Sequence, residues 1–240
     1  MPTIEENKTA WDSDWGHNGD EWSLAWGSVP MQWFGTWLPR LHSFLPADCI
    51  LEIAPGRGRW TSFLRQYCKR LEVVDLSPSC IEDCKTRFAS TSHIKYHVND
   101  GKSLDMIGDS SIDLLVTFDS LVHAERDVVE AYLRQFPRIL KPDGVGVIHH
   151  SNFGEYAPKA SPHWRATTMT AQLFADICAS AGLRCVGQEL VNWGGDDLSD
   201  CISTFTQRGS RFDRPNVVIR NAKFMEEATR LKEINELYCF

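Results

Sequence analysis

Ile50-Leu51-Glu52-Ile53-Ala54-Pro55-Gly56-Arg57-Gly58-Arg59-Trp60 reads as an apolar strand, a tight glycine-containing turn and the start of a helix. Such a turn lets backbone N–H groups approach a ligand with no side chain in the way. The segment is a nucleotide-cofactor loop, of a kind that serves dinucleotides, phosphates and adenosyl groups alike. The segments around it must decide among them.

Outward from this loop, strands and helices alternate. Residues 49–54 form the first strand, and 59–69 a helix with Trp60, Phe63, Leu64 and Tyr67 at helical spacing. A second strand covers 71–76. Ser77-Pro78 supplies an N-cap hydroxyl and a first-turn proline for a helix through Phe88. A third strand spans 93–98 and a fourth 112–118. The helix over 124–140 lines one face with Val128, Val129, Tyr132, Leu133, Phe136 and Ile139. The turn Lys141-Pro142-Asp143-Gly144 then leads to a fifth strand, 145–149. A helix near 169–181 and strands near 184–192 and 201–206 close the series. The pattern predicts a Rossmann-like α/β fold, a seven-stranded mostly parallel sheet with helices on both faces and an antiparallel edge strand. Its organisation is a Trp-rich segment at 1–45, a core at 46–208, and an extension at 209–240 with a charged amphipathic helix at 220–237.

Composition bounds the function. With 42% hydrophobic residues, the 240-residue chain can bury a core of ordinary size. A net charge of −7 without a dense Lys/Arg run argues against nucleic acid as partner and for a small molecule. Residues 1–6 have neither a basic nor an apolar leader region, and no stretch reaches membrane-spanning length, so a cytoplasmic protein with no membrane partner is expected. The eight cysteines are scattered without a Cys-x-x-Cys pair and read as buried thiols. The pattern of 220–237 suits self-association into a homo-oligomer and packing on its own domain equally.

Three later signals separate the cofactors. Asp75 closes the second strand seventeen residues after Gly58, where a carboxylate can accept both hydroxyls of a ribose. Asn99-Asp100-Gly101 follows the third strand with an acidic side chain suited to an adenine amine. Glu52 and Ala54-Pro55-Gly56 depart from the dinucleotide fingerprint Gly-x-Gly. With Asp75, Asp100 and Leu140-Lys141-Pro142-Asp143-Gly144 in order, the sequence resembles the class I S-adenosylmethionine-dependent methyltransferases over roughly residues 45–206. The resemblance implies that Ala54, Pro55, Gly56 and Gly58 pack against the methionine portion and that Asp75 binds the ribose. It implies that Asp100 binds the adenine amine and that 118–121 passes beneath the sulfonium. Glu52, Trp60, Leu76, Asn99, Gly101, Phe118 and Asp119 complete the expected cofactor set.

Methyl transfer from a sulfonium is an in-line displacement, so the protein must chiefly align its reactants. A hydroxyl acceptor also needs its proton removed, by a base or with the help of a metal. Asp119 and His123 follow the fourth strand, and His149-His150-Ser151-Asn152 follow the fifth. These residues suggest either a histidine base oriented by Asp119, or a divalent cation such as Mg2+ held by Asp119, His149, His150 and Asn152. Strand alternation offers the plainer alternative that His149 points into the core. Phe118-Asp119-Ser120-Leu121 stands where an Asn-Pro-Pro-Tyr or Asp-Pro-Pro-Tyr segment would serve amine acceptors. That favours O-methylation. Together with the 149–152 run it resembles bacterial saccharide O-methyltransferases of the mycobacterial type.

Six of the nine tryptophans lie in 1–45, with Trp11, Trp15, Trp22 and Trp26 at helical intervals and Gln32, Trp33 and Trp37 continuing into a helix ending near Phe44. Trp22, Trp26 and Gln32 are candidates for a lid over a sugar, since aromatic faces suit its C–H faces. His163, Trp164 and Arg165 are placed for acceptor recognition. The expected enzyme is thus a methyltransferase acting on a hydroxyl of a small polar acceptor, a sugar or oligosaccharide above all. N- or carboxyl methylation of another metabolite is the rival within enzymes. A nicotinamide-dependent oxidoreductase would need glycine at position 54 and a Tyr-x-x-x-Lys, and neither is present. A binding module without turnover is the remaining alternative.

Overall fold

The computed structural model describes residues 3–12, 19–156, 159 and 164–239. Trp15 and His163 lie outside the described residues. The strands are β1 (Ala47–Ile53), β2 (Cys68–Asp75), β3 (Ile94–Val98), β4 (Ile112–Thr117), β5 (Leu140–Ser151), β6 (Leu183–Val191), β7 (Asp200–Gln207) and β8 (Val217–Asn221). They form one sheet in the order β3-β2-β1-β4-β5-β7-β6-β8. The chain starts in the middle, winds out to β3, returns past β1 to β4 and winds out the other way. The order therefore reverses between β1 and β4, the point at which such sheets open a cleft at their carboxyl ends.

The helices are α1 (Ile4–Trp11), α2 (Val29–Gln32), α3 (Leu38–Leu41), α4 (Thr61–Leu64), α5 (Pro78–Arg87), α6 (Arg126–Ile139), α7 (Ala171–Ser180) and α8 (Phe224–Tyr238). The cap at Ser77 is as the sequence implies, and Thr170 supplies a second. Ser77 accepts from the Cys80 N–H at 3.2 Å to open α5, and Thr170 accepts from the Leu173 N–H at 3.0 Å to open α7. The expected apolar stripe of α6 is buried, from Val128 to Ile139.

Strand alternation divides the core in two. Leu51, Ile53 and Leu115 face α6 and α7, where Phe136, Phe174 and Phe205 fill the space. Ile50, Leu114 and Val116 face a layer of Trp33, Trp37 and Trp60, completed by Phe88 after α5 and Phe224 of α8. Fully burying each of these large side chains contributes roughly 1.5–3 kcal/mol. The amino-terminal tryptophans thus cover the sheet itself.

The fold class is as the sequence implies, with differences in detail. The sheet has eight strands rather than seven, because Val217–Asn221 adds a parallel strand to β6 within the carboxyl-terminal extension. The antiparallel strand, β7, lies between β5 and β6 instead of at the edge. The helix expected over 59–69 is only Thr61–Leu64, since β2 begins at Cys68, which pairs with Ala47, and the Tyr67 carbonyl accepts the Ala47 N–H at 2.9 Å. The turn at 141–144 is absorbed into a long β5 with a register shift opposite Ile112–Leu114.

Gly146 of β5 sits opposite Phe205 of β7. The Phe205 ring occupies the space a β-carbon at 146 would need. Gly146→Ala is expected to lower unfolding stability by about 1–3 kcal/mol, the usual cost of overpacking a filled core. Chemical denaturation measures it, and combination with Phe205→Leu should recover part of the loss.

Candidate active site

The loop after β1 is built by backbone geometry. Ala54, Gly56 and Gly58 all take positive φ (54°, 56° and 85°), so the chain doubles back at once. The Ala54 N–H donates to the Val74 carbonyl at 2.7 Å, and the Ser120 hydroxyl donates to the Ala54 carbonyl at 2.8 Å. The Gly56 N–H donates to Asp75 Oδ2 at 3.1 Å, and the Ser77 N–H donates to Asp75 Oδ1 at 2.8 Å. Asp75 thereby fixes two loops at once. Burial pushes its pKa up to about 6 against the pull of these hydrogen bonds.

A cleft opens above these strand ends. Ala54, Pro55 and Gly56 form one wall and Phe118, Asp119 and Ser120 the opposite one. Asp75, Leu76 and Gly101 close the far end, and Trp60 and Arg59 line it beside the loop. The near side belongs to α1, which contributes Ile4, Asn7 and Trp11. Three contacts hold that helix down: Asn7 Nδ2 donates to the His123 carbonyl at 3.1 Å, and the Ser77 and Ser79 hydroxyls each donate to Asp12 at 2.6 Å. Asn7 Oδ1 is buried with no hydrogen-bond partner among the described residues. Trp22 stands half-exposed at the mouth, its ring 5.6 Å from that of Trp11.

The two histidine-bearing segments behave differently. His123 lines the cleft, its ring 5.1 Å from Trp11. Its Nδ1 lies 3.1 Å from the Trp164 carbonyl, which can only accept, so Nδ1 carries the hydrogen and Nε2 the lone pair. Burial, helped by the charge of Arg165, pushes its pKa down to about 4. The ring is therefore neutral near pH 7, with a basic nitrogen that no described residue occupies.

Asp119, at φ 59°, is fixed on one side by Arg59 at 2.6 Å, and on the other its backbone N–H donates to His149 Nδ1 at 3.2 Å, with carboxylate Oδ1 the same distance from that nitrogen. Burial alone would raise its pKa, but Arg59 and His149 outweigh this and hold the carboxyl below its usual range. His149 Nε2 reaches Asp200 at 3.2 Å, and Asp200 pairs with Arg165 at 3.0 Å. Burial depresses the His149 pKa, yet the two flanking carboxylates win and the net shift is upward.

Several expected site residues stand elsewhere. His150 points to the opposite face of the sheet, stacked on Phe174 at 4.3 Å with Nε2 on the Ser203 hydroxyl, and burial pushes its pKa down to about 4. It cannot be a base in the cleft. His149 is fully buried beneath Asp119 and does not line the cleft. Asn152 is committed to the Leu198 carbonyl and the Ala171 N–H. The expected metal set does not assemble: His150 is on the other face, Asn152 is engaged, and Arg59 already neutralises Asp119. Among the described residues no three His, Cys, Asp or Glu side chains are grouped to hold an ion. The expectation of Mg2+ is corrected accordingly.

Within the cofactor set, Glu52 lies beneath the loop, accepting from the Thr61 hydroxyl at 2.6 Å, its pKa raised to about 8 by burial. Gly58 packs against Phe88 and Cys84 instead of facing the cleft. Asn99 donates to the Tyr132 hydroxyl, and Asp100 accepts the N–H groups of Lys102 and Ser103, so both shape the loop that brings Gly101 in. Neither lines the cleft. Trp26 is buried against Trp193 and Phe224, and Gln32 is fully buried, so neither is part of a lid. Arg165 is buried on Asp200 and does not line the cleft, whereas Trp164 contributes its carbonyl to His123 and exposes its ring. The residues the sequence did not single out are Asn7, Arg59, Ser120 and Asp200. Arg59 was within the quoted loop, and the capping box Thr3…Glu6 that starts α1 was also readable.

Fold, loop and cleft define a class of protein, and comparison with known sequences and structures agrees. Residues 50–144 match the profile of a methyltransferase domain. Nodulation protein S of Bradyrhizobium diazoefficiens is 31% identical over 126 residues, 52% of this chain and 59% of that protein. The chain thus spans under two thirds of that relative. Nodulation protein S of Sinorhizobium fredii is 27% identical over 174 residues, 70% of this chain and 77% of that protein. The N-methyltransferase NodS of Bradyrhizobium japonicum WM9, solved with S-adenosyl-L-homocysteine, superimposes with a TM-score of 0.63 at 21% identity, covering 87% of this chain and all of that one. The DhpI–S-adenosyl-L-homocysteine complex gives 0.58 at 18%, covering 86% and 97%. The matched segment is thus similar to methyltransferase domains, and the fold is the one shared by these S-adenosyl-L-homocysteine-bound structures. No helix among the described residues is long and apolar enough to cross a membrane.

The two histidines nearest the cleft should titrate apart. NMR of the imidazole resonances is expected to show His123 neutral until the pH nears 4, in the Nδ1–H form, and His149 protonating above the ordinary histidine range.

Proposed function

We propose that the protein transfers a methyl group from S-adenosylmethionine to a hydroxyl of a small polar acceptor, a saccharide being the substrate class. The observation that carries this reading is His123, a neutral imidazole on the cleft wall whose Nδ1–H is committed to the Trp164 carbonyl and whose Nε2 is free of described partners. An acceptor hydroxyl needs such a nitrogen. Bound in the cleft, the cofactor supplies an electrophilic methyl on a sulfonium.

The protein's own residues do the rest. Loop 54–56 offers a side-chain-poor surface for the amino-acid portion, and Asp75, ionised above about pH 6, accepts the ribose hydroxyls. Asn7 Oδ1 offers a buried acceptor for an amine. Phe118 and Trp60 exclude water where the methyl moves. Nε2 of His123 takes the acceptor proton as the new bond forms, and Trp11 with Trp22 offers aromatic surface for the C–H face of a sugar.

A second reading, N-methylation, is favoured by the N-methyltransferase named among the similar structures. Mass spectrometry and NMR of products from hydroxyl and amine acceptor panels decide between them: O-methyl products are expected, and exclusively N-methyl products would overturn the first reading. His123→Ala should lower kcat by about 10²–10⁴-fold, the usual weight of a positioned base, with cofactor affinity little changed. The acid limb of kcat should lie near pH 4–5 rather than 6.5, because His123 stays unprotonated to about 4. Asp75→Asn should weaken cofactor binding by roughly 10–100-fold. Wild-type affinity should fall below about pH 6, where protonation of Asp75 opposes binding, and calorimetry across pH measures both effects.

A further inference from the structure

A buried chain of alternating charge runs under the cleft. Arg59 contacts Asp119 at 2.6 Å, Asp119 meets His149 Nδ1 at 3.2 Å, His149 Nε2 meets Asp200 at 3.2 Å, and Asp200 meets Arg165 at 3.0 Å. His149 is the only ring between the two carboxylates along this path, and it is fully buried between Trp37 and Trp193, 5.7 and 4.9 Å away. Nothing in the methyl transfer itself calls for a histidine there.

Both ends of the chain lead to His123. At one end Asp119, in a left-handed backbone at φ 59°, opens the turn Leu121–His123, and the His123 N–H donates to the Ser120 carbonyl at 3.1 Å. At the other end Arg165 follows Trp164, also left-handed at φ 57°, whose carbonyl accepts from His123 Nδ1. A non-glycine residue in this conformation costs of order 1–3 kcal/mol and persists only where its surroundings hold it. Here the charge chain holds Asp119 by its carboxylate, and holds the residue after Trp164 by its guanidinium. The neighbouring Ala166 N–H donates to the Val122 carbonyl at 2.9 Å, which ties the two segments together.

We propose that His149 is a positioning residue for His123: by bridging Asp119 and Asp200 it fixes the turn that carries the imidazole and the Trp164 carbonyl that selects its tautomer. The importance for catalysis rests on His123 being the base, but the positioning itself does not. His149 need not lose a proton or touch a substrate. It must only satisfy Asp119 and Asp200 together, which the ring does through nitrogens on opposite edges.

The test reads His123 directly and needs no acceptor. Long-range proton–nitrogen NMR of the intact protein, saturated with S-adenosyl-L-homocysteine, is expected to show only the Nδ1–H form of His123. In His149→Leu, which leaves both carboxylates without their bridge, that single signature should be lost to a mixture of tautomers. His149→Gln, whose amide can donate to Asp200 and accept from the Asp119 N–H, should restore it. Asp200→Asn, a smaller change, should shift the populations in the same direction and serves if His149→Leu does not fold. His123 signals identical to wild type in the folded variants would overturn the proposal. A shifted tautomer combined with full turnover in His123→Ala would instead leave it standing and refute the base.

Discussion

A carboxylate buried at the carboxyl end of β4 must be neutralised, and Asp119 has two groups for this, Arg59 and His149. Removing both would strand a charge whose desolvation cost is several kcal/mol. Each partner carries a structural commitment of its own. Arg59 can reach Asp119 only because the loop turns sharply through Ala54, Gly56 and Gly58, and its guanidinium also lies 4.4 Å over the Trp60 ring and bonds the Ser23 hydroxyl. The cofactor loop, the amino-terminal segment and the floor of the cleft are thus joined at one ion pair. His149 extends the same neutralisation across β5 to β7, where Asp200 would otherwise be stranded beside Arg165 alone.

The pleat of β5 decides the chemistry of neighbouring residues. His149 and His150 are adjacent in sequence, yet one faces the tryptophan layer and the other the α7 side. Flanked by two carboxylates, the first shifts toward the charged form. With only hydroxyl and carbonyl partners and an aromatic neighbour, the second is held neutral by burial. Neither opens to the cleft. The imidazole that does open there comes from the turn after β4, where a carbonyl fixes the tautomer and no carboxylate binds the ring.

What could be read from sequence was what is determined locally. The loop at 50–60, the N-cap Ser77 and the stripe of α6 depend on residues within a turn or two of one another. One side of the cleft followed from them, with Ala54, Asp75 and Phe118 brought together in its lining. The acceptor side did not, because it depends on pairings across the fold. Asn7 meets His123 across 116 positions, and Asp200 meets His149 across 51. Asp100 looked like an adenine ligand because an acidic residue after β3 can be one. In this chain its carboxylate caps Lys102 and Ser103, a local use that competes with ligand binding. The eighth strand was missed because Val217, Val218 and Ile219 show no alternation; they remain about half exposed at the sheet edge.

The low basicity of His123 does not count against its proposed role. A hydroxyl that accepts a methyl group becomes a strongly acidic oxonium as the new bond forms, so proton transfer is downhill even to a nitrogen whose pKa burial has pushed to about 4. A more basic imidazole in the same cleft would be partly protonated near pH 7, repelling a sulfonium and presenting no lone pair. Trp11, Trp60 and Phe118 line the cleft, and aromatic faces of this kind suit the cationic methyl donor of the proposed function. Asp119, a carboxylate on the cleft wall, is already neutralised by Arg59. In the proposed function, tautomer control and charge balance therefore serve the same end: a neutral base in a cleft where the positive charge belongs to the donor.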